Sequence, residues 1–176
     1  MTPMRTRILN AAIHLFAQGD YRAATIRDIC AVAQCSIGAI YDHFQNKKDL
    51  FRQALRTEAK PVKSDLIAGA KLNNQKLRAR KLAKACYTNV PFMRLLLVDD
   101  QMHIGEGKRL LRSLAASGIT ESRLRHIERA LKRAAGMLRF DALFEERLVN
   151  VDEDLAAWTE ALFVDERPDG TLLWAT

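Results

Sequence analysis

Apolar residues recur at spacings of three and four along most of this 176-residue chain, a pattern that predicts helices. The first helix covers RILNAAIHLFAQGDY and is expected to end at Gly19, because glycine is a common helix stop. Its inward face consists of Ile8, Ala12, Ile13 and Phe16. No strand-rich segment, repeat or low-complexity tract follows in the sequence, so an all-α chain is expected.

Residues 25–50 predict two short helices joined by a tight turn and followed by a third helix. Thr25 is a suitable N-cap, and Asp28 three residues later favours the helix N-terminus. The inward face of this helix consists of Ile26, Ile29, Cys30 and Ala33. The second helix begins at Ser36 and is only half apolar. A short helix with small and polar residues on its outer face can enter a DNA major groove, which is about 12 Å wide.

The helix after Asn46 is expected to continue to Pro61, where the proline predicts a junction between two units. Further amphipathic stretches predict helices at 62–89, 91–103, 107–117, 120–140 and 152–163. These patterns predict a small helical unit at 1–58 and a larger one at 59–176.

The segment AATIRDICAVAQCSIGAIYDHFQNKKDLF, with the helix before it, resembles the DNA-binding signature of the TetR family of bacterial transcriptional regulators. The resemblance runs from about Arg5 to Leu55, and its landmarks occur in order and in register. It implies a three-helix helix-turn-helix DNA-binding domain at 1–58 and a helical effector-binding and dimerisation domain at 59–176. It also implies a cytoplasmic, ligand-released repressor that binds a pseudo-palindromic DNA operator as a homodimer.

Carried over by position, the reading helix of the family covers 36–43. The resemblance then implies that Arg27 donates two hydrogen bonds to a guanine edge, a contact worth about 1–3 kcal/mol of discrimination. Ile37 and Ala39 are expected to face thymine methyl groups, and Gly38 allows close backbone approach. Phosphate contacts are expected from Thr25, Ser36, Tyr41, His43 and Lys47, with Tyr41 also able to reach a base. The amides near Asn46 add the attraction of a helix N-terminus.

Two residues depart from the family pattern. Ile37 stands where many members carry a polar or basic residue, which suggests an A·T-rich step in the operator. Asp42 lies near the expected path of a phosphate, so its carboxylate must turn away or accept a hydrogen bond from cytosine. An ordinary helical hairpin inside a globular core is the structural alternative for this segment.

A formal net charge of +7 and a sequence pI near 9.6 favour polyanionic partners, although charge alone is not specific. Residues 1–58 carry 8 basic and 5 acidic side chains, residues 59–140 carry 18 and 6, and residues 141–176 carry 2 and 10. The basic middle segment could pack against the acidic end within one subunit or across a dimer. Alternatively, RARKLAK at 78–84 and KRLLR at 108–112 could attract an anionic effector or flanking DNA.

The family resemblance places dimer contacts on the last two major helices and an effector pocket among the middle helices. The candidate dimer residues are Leu131, Ala134, Ala135, Leu138, Leu155, Trp158, Leu162 and Phe163. The candidate effector residues are Tyr87, Phe92, Met93, Met102, His103 and Phe140. The alternative for both sets is that they complete the core of a single subunit. The effector is expected to be a small molecule, and an anionic one agrees with the basic middle segment.

The three cysteines and four histidines show no metal-ligand spacing, and a reducing compartment is expected. Cys30 and Cys35 are close enough in sequence for a redox switch to remain an alternative. The sequence contains no diagnostic catalytic motif, so we expect no enzyme, no catalytic residue, no metal and no cofactor. No apolar run is long enough to span a bilayer, so no membrane association is expected. A nonspecific architectural DNA-binding protein is a further alternative to a sequence-specific regulator.

Overall fold

The computed structural model describes residues 3–18 and 21–137, and this part of the chain contains helices without strands. The helices are α1 (Met4–Ala17), α2 (Ile26–Ala33), α3 (Ile37–Tyr41), α4 (Lys47–Ala70), α5 (Gln75–Tyr87), α6 (Val90–Gln101), α7 (Glu106–Ala115) and α8 (Glu121–Met137). The all-α class expected from the sequence is confirmed. The expected end of α1 at Gly19 and the helix expected at 152–163 lie outside the described residues.

The helix-turn-helix unit consists of α1, α2, α3 and the start of α4, and it has an aromatic cluster at its centre. The rings of Phe16, Tyr21 and Phe51 lie with centroids 5.2–5.5 Å apart in tilted and edge-to-face contacts. The fully buried residues around them are Ile8, Ala12, Ile29, Ile40, Leu50 and Ala54. These residues repeat at helical spacing in each segment, so every helix contributes one apolar face to the same core.

Helix α4 continues through Pro61 and ends at Ala70, so the prediction of a helix end at Pro61 is wrong. Proline removes one helical hydrogen bond, yet Pro61 is exposed while Leu55, Val62 and Leu66 are all buried along the same face. Packing of that face on one continuous core holds the helix together across the proline. The expected boundary after residue 58 lies inside this helix, which connects both units.

The sequence between residues 62 and 89 forms the end of α4 and a separate α5, rather than one long helix as predicted. Asn74 interrupts it, because its side-chain oxygen accepts a hydrogen bond of 3.0 Å from the Leu77 amide and caps α5. Helix α5 then packs closely on α4 at Gly69, where a Cβ atom would lie 3.1 Å from Leu82. Cys86 on α5 is buried in this contact region, and burial raises the pKa of its thiol to about 12.

Helix α7 is held at its N-terminus by residues from two other helices. The carboxylate of Asp99 on α6 accepts hydrogen bonds from the Glu106 amide (3.0 Å) and the Gly107 amide (2.8 Å). The Glu106 side chain in turn forms a bidentate ion pair with Arg56 on α4, with N···O distances of 2.8 and 2.6 Å. Gly105 precedes the helix with a φ of 93°, a conformation that favours glycine. Helix α7 is thus fastened to both α4 and α6.

Candidate nucleic-acid interface

The N-terminus of α2 has the capping box that the sequence predicts. The Thr25 hydroxyl accepts a hydrogen bond of 3.1 Å from the Asp28 amide, while the Thr25 amide donates one of 2.8 Å to the Asp28 carboxylate. The Thr25 hydroxyl also donates to that carboxylate at 2.7 Å. These bonds lower the pKa of Asp28. The hydroxyl proton of Thr25 is therefore already engaged, and the predicted phosphate contact would have to replace this bond or come from the backbone.

The turn between α2 and α3 is held by a side chain that the sequence analysis did not select. Gln34 has a φ of 50°, and the Cys35 amide donates to the Cys30 carbonyl at 3.0 Å, which closes the end of α2. Arg7 on α1 donates to the carbonyls of Ala33 and Gln34 at 2.6 and 2.9 Å. Arg7 thereby fixes where α3 begins. Its position one residue before the apolar stripe of α1 was the only sequence signal for this role.

Helix α3 presents one apolar face to the core and another to solvent. Ser36 caps the helix by accepting a hydrogen bond of 3.2 Å from the Ala39 amide. Ile40 is fully buried, whereas Ile37 and Tyr41 are 44% and 53% exposed. Gly38 is also exposed, and only the Ser36 hydroxyl oxygen lies within 4 Å of an added Cβ atom. The outer face of α3 is therefore open for close approach by another molecule.

The N-terminus of α4 belongs to the helix-turn-helix unit and, like that of α2, is a capped helix N-terminus that could face a phosphate. Asn46 caps it by accepting a hydrogen bond of 2.9 Å from the Asp49 amide. The ammonium of Lys47 lies 3.3 Å from the Arg22 carbonyl oxygen and 4.4 Å from the centroid of the Tyr21 ring. Lys47 is thus held in place by two neighbours beside an end of a helix that attracts anions.

The structure leaves most of the predicted DNA-binding side chains accessible. The exposed members of the set are Thr25, Arg27, Ser36, Ile37, Gly38, Tyr41 and His43, while Ala39 and Lys47 are half-buried. Asp42 is exposed as well. Val32 on α2 is 51% exposed and was not selected from the sequence, although it is an apolar residue outside the inward stripe of its helix. The predicted set comes from one compact unit rather than from scattered parts of the chain.

Cys30 and Cys35 lie close together at this turn, and their thiols interact. Cys30 is 8% exposed, and its pKa is raised by burial and by the neighbouring Cys35. A raised pKa lowers the thiolate fraction, which is the reactive form of cysteine. The pair is thus adjacent, as a redox switch requires, but Cys30 is poorly activated for oxidation.

The candidate effector residues divide between core and cavity positions. Tyr87, Phe92 and Met93 are buried, Met102 packs against the core, His103 is exposed, and Phe140 lies outside the described residues. A cavity of about 140 Å³ lies between α4, α6 and α7 and includes Phe92 in its lining; we call it the basic cavity. A second cavity of about 440 Å³ lies between α6, α7 and α8 and includes His103.

The two cavities differ in charge. The basic cavity has a lining with Arg56, Lys60, Lys63 and Arg109 against the single acid Glu106. The larger cavity is lined by three acids and two lysines, namely Asp99, Asp100, Glu128, Lys108 and Lys132. A net positive lining favours an anion, whereas a mixed lining does not select a sign of charge.

The candidate dimer residues on α8 lie inside a single subunit. Leu131, Ala134 and Ala135 are 4%, 0% and 5% exposed, and all three belong to the apolar core. Leu138, Leu155, Trp158, Leu162 and Phe163 lie outside the described residues. The described part of α8 thus contributes to the core of the subunit itself.

Two general features of the described residues bear on partners. Within 3–18 and 21–137, no helix combines the length and apolarity that crossing a bilayer requires. In the same part of the chain, no group of three or more histidine, cysteine, aspartate or glutamate side chains is arranged to hold a metal ion.

Comparison with known sequences shows that the helix-turn-helix unit is similar to one family of proteins. The sequence model of the family described as bacterial regulatory proteins, tetR family, matches residues 8–54. The transcriptional regulator UidR of Escherichia coli K12 is 40% identical over 50 residues, which are 28% of this chain and 26% of UidR. The transcriptional repressor KstR2 of Rhodococcus jostii is 40% identical over 52 residues, 30% of this chain and 26% of that repressor. The matched segment therefore spans about a quarter of these relatives.

Comparison with solved structures extends the likeness of fold to nearly the whole chain. A transcriptional regulator from Aquifex aeolicus superimposes with a TM-score of 0.61 at 19% identity, covering 91% of this chain and 95% of that one. The TetR family regulator PfmR from Thermus thermophilus gives a TM-score of 0.59 at 18% identity, with 89% and 96% covered. These similarities establish the fold, and the names of the relatives describe transcriptional regulators rather than enzymes.

Proposed function

We propose that this chain, whose residues 8–54 match the sequence model of the tetR family of bacterial regulatory proteins, is a member of that family and a sequence-specific, DNA-binding transcriptional repressor. The sequence likeness to UidR and KstR2, which are named as a regulator and a repressor, supports this proposal for the helix-turn-helix unit. We further propose that the protein acts in the cytoplasm as a homodimer on a pseudo-palindromic operator and is released by a small-molecule ligand.

The observation that carries the proposal is the outward face of α3. Ile37 and Tyr41 are exposed there, although Ile40 between them is fully buried and fixes the orientation of the helix. Ile37 and Tyr41 lie four residues apart, at the two ends of this short helix and on the same side of it, so together they form an apolar surface that a groove-reading helix can place against bases. The capped N-termini of α2 and α4 lie on the same unit and suit phosphates on either side.

Base contact is proposed for Arg27, Ile37, Gly38, Ala39 and Tyr41. Phosphate contact is proposed for Ser36, His43 and Lys47, and for the backbone amides that follow Thr25. The Ser36 hydroxyl accepts from Ala39 and retains its own proton for a phosphate oxygen, whereas the Thr25 hydroxyl proton is held by Asp28. Two copies of the unit related by a two-fold axis would place their α3 helices about 34–36 Å apart, which is one turn of DNA.

Selection of bound sequences from a random DNA pool by the purified full chain tests this proposal. We expect enrichment of an inverted repeat and a preference over random DNA of about 10³-fold or more at physiological salt. Equal binding of all sequences, with the same dependence on salt, would instead identify an architectural DNA-binding protein. Loss of binding only under oxidising conditions, restored by a thiol reductant, would favour the redox alternative through Cys30 and Cys35.

A further inference from the structure

The basic cavity combines an apolar interior with a rim of cations. Leu55, Ala59, Phe92, Leu96 and Leu110 form its apolar walls. Lys60 and Arg109 are exposed at its edge, while Lys63 is half-buried. None of these three cations has an ion-pair partner among residues 3–18 and 21–137, so their charge is not neutralised by that part of the protein.

The size of the cavity limits what it can bind. A volume of about 140 Å³ is close to the roughly 150 Å³ of an engineered apolar cavity that binds benzene. A single ring or a short alkyl chain therefore fits its apolar part. The cations at the rim would then face a negatively charged group attached to that apolar body.

The fourth cation of the lining, Arg56, is already bound to a carboxylate. Its guanidinium holds Glu106 in the bidentate ion pair, and the Glu106 side chain is only 8% exposed. A ligand carboxylate has the same planar geometry as the Glu106 side chain and can accept the same two hydrogen bonds. It would therefore compete with Glu106 for Arg56.

Arg52 offers Glu106 a second partner. It lies one helical turn before Arg56 on α4, and its Nε atom is 3.9 Å from the nearer Glu106 carboxylate oxygen. That Nε atom is buried and makes no hydrogen bond within the described part of the chain. Glu106 thus binds Arg56, while the Nε atom of Arg52 lies within reach and lacks a hydrogen bond. The Glu106 carboxylate can therefore pair with either arginine, which gives the contact two alternative states.

We propose that the basic cavity binds a small monocarboxylate with an apolar body, which takes Arg56 from Glu106 and shifts Glu106 to Arg52. Helix α7 begins at Glu106, and α4 begins at the DNA-binding surface beside Lys47. When Glu106 exchanges Arg56 for Arg52, the contact of α7 with α4 moves by one helical turn. This changes how α7 packs on α4, the helix that connects the cavity with the DNA-binding surface. The regulatory consequence rests on the proposed ligand-released repressor, whereas the binding step does not.

Calorimetric titration of the full-length protein without DNA tests the binding step. Benzoate and pentanoate are the probes, and benzamide is the neutral isostere of benzoate. We expect saturable binding of at least one carboxylate at one site per subunit, and binding of benzamide at least tenfold weaker than that of benzoate. Absence of saturable binding by both carboxylates overturns the inference, and so does equal affinity for benzoate and benzamide.

Cavity variants test the location, with circular dichroism confirming that each variant is folded. Lys63→Gln and Arg109→Gln are each expected to weaken carboxylate binding at least threefold, because each removes one cation from the lining. Arg112→Gln is the matched control, since Arg112 is exposed on α7 outside the cavity lining. Equal effects of Arg109→Gln and Arg112→Gln would show nonspecific attraction by charge and overturn the assigned site.

Two further variants test the exchange of Glu106 between the arginines. Glu106→Gln is expected to tighten carboxylate binding, because the internal competitor for Arg56 is lost. Asp65→Asn controls for the removal of an acid from the same region, since Asp65 pairs with Lys81 instead. Arg52→Gln is expected to weaken carboxylate binding although Arg52 does not line the cavity. Weaker binding by Glu106→Gln, or unchanged binding by Arg52→Gln, contradicts the exchange.

A final titration with the selected operator separates this inference from the proposed function. We expect a bound carboxylate to release the operator from the wild type and to release it less effectively from Arg52→Gln. Operator binding that no carboxylate affects overturns the regulatory part and leaves the proposed DNA-binding function intact. Carboxylate binding by a protein without any preferred DNA sequence contradicts the proposed function and leaves the cavity assignment standing.

Discussion

In the helix-turn-helix unit, the caps at Thr25, Ser36 and Asn46 each join residues three positions apart, whereas Arg56 and Glu106 beside the basic cavity lie 50 positions apart. A helix cap depends only on a short stretch of sequence and forms wherever that stretch becomes helical. The contact between Arg56 and Glu106 exists only when α4 and α7 are already packed together.

This difference has a functional consequence. A DNA-reading surface must keep its shape while it searches many sequences, and local caps stabilise the N-termini of its helices. A ligand-responsive site must have two arrangements of similar free energy. Contacts between helices that are distant in sequence suit such a site, because one contact can be replaced by another when the helices shift. Helix α4 takes part in both regions, so its core residues should affect the whole described structure, while caps and turn contacts should act locally.

Removal of a core aromatic ring from α4 is expected to have the largest effect. Phe51 is fully buried against Phe16 and Tyr21, so Phe51→Ala should lower the free energy of unfolding by about 3–5 kcal/mol. Urea unfolding followed by circular dichroism measures this loss. Ile37→Ala, a truncation of an exposed apolar residue in the same unit, should change stability by less than about 0.5 kcal/mol. Comparable losses in both variants would contradict the described core.

The sequence predicted the helix-turn-helix unit better than the rest of the fold, because its determinants are local. Thr25, Ser36 and Asn46 are capping residues at the positions where helices begin, and the apolar stripe of α1 indicates its buried face. The continuation of α4 through Pro61 could not be read in this way, since it depends on the packing of Leu55, Val62 and Leu66 against distant helices.

The candidate sites show the same division. The exposure of Ile37 and Tyr41 agrees with a pattern that could be read in one helix, although their contacts with DNA stay a prediction. The sequence analysis selected Phe92 and the 108–112 run that contains Arg109, but it did not predict the basic cavity as a whole, because the cations come from α4 and α7 and only the fold brings them together. Arg7 was missed for a similar reason, as its partners at the end of α2 are 26 and 27 positions away.

Arg7→Ala tests whether the turn depends on this long-range contact. This substitution removes two hydrogen bonds from a charged donor to backbone carbonyls, so we expect the free energy of unfolding to fall by about 1–3 kcal/mol. Hydrogen exchange should become faster at the Cys35 amide, while amides in α5 and α6 keep their protection relative to global unfolding. Arg5→Ala is the matched control, because Arg5 contacts Phe44 and Gln53 instead of the turn. Uniform loss of protection in both units would show that the turn is not stabilised independently.

Substitutions on the DNA-reading surface should change binding without changing stability. Arg27 and Tyr41 are exposed, so Arg27→Ala and Tyr41→Ala should each reduce discrimination between operator and random DNA by about 1–3 kcal/mol. Competition binding at fixed salt measures this discrimination, and thermal unfolding checks the fold. Lys76→Ala, at an exposed position near the start of α5, serves as a control for net charge. Wild-type discrimination in both variants would refute the assignment of these residues.

The cap of α2 should have the smallest effect and a characteristic dependence on pH. Thr25→Ala is expected to lower stability by about 1 kcal/mol at neutral pH. The hydrogen bonds from Thr25 lower the pKa of Asp28 in the folded state, so the stabilisation by ionised Asp28 is complete above its unfolded pKa of about 3.9. It is lost as the pH falls through the lower, folded pKa. Urea unfolding at neutral pH and near pH 2.5 should therefore show a larger difference between wild type and Thr25→Ala at neutral pH. The same difference at both pH values would mean that Asp28 contributes to the cap without its charge, and the electrostatic part of this local stabilisation would be wrong.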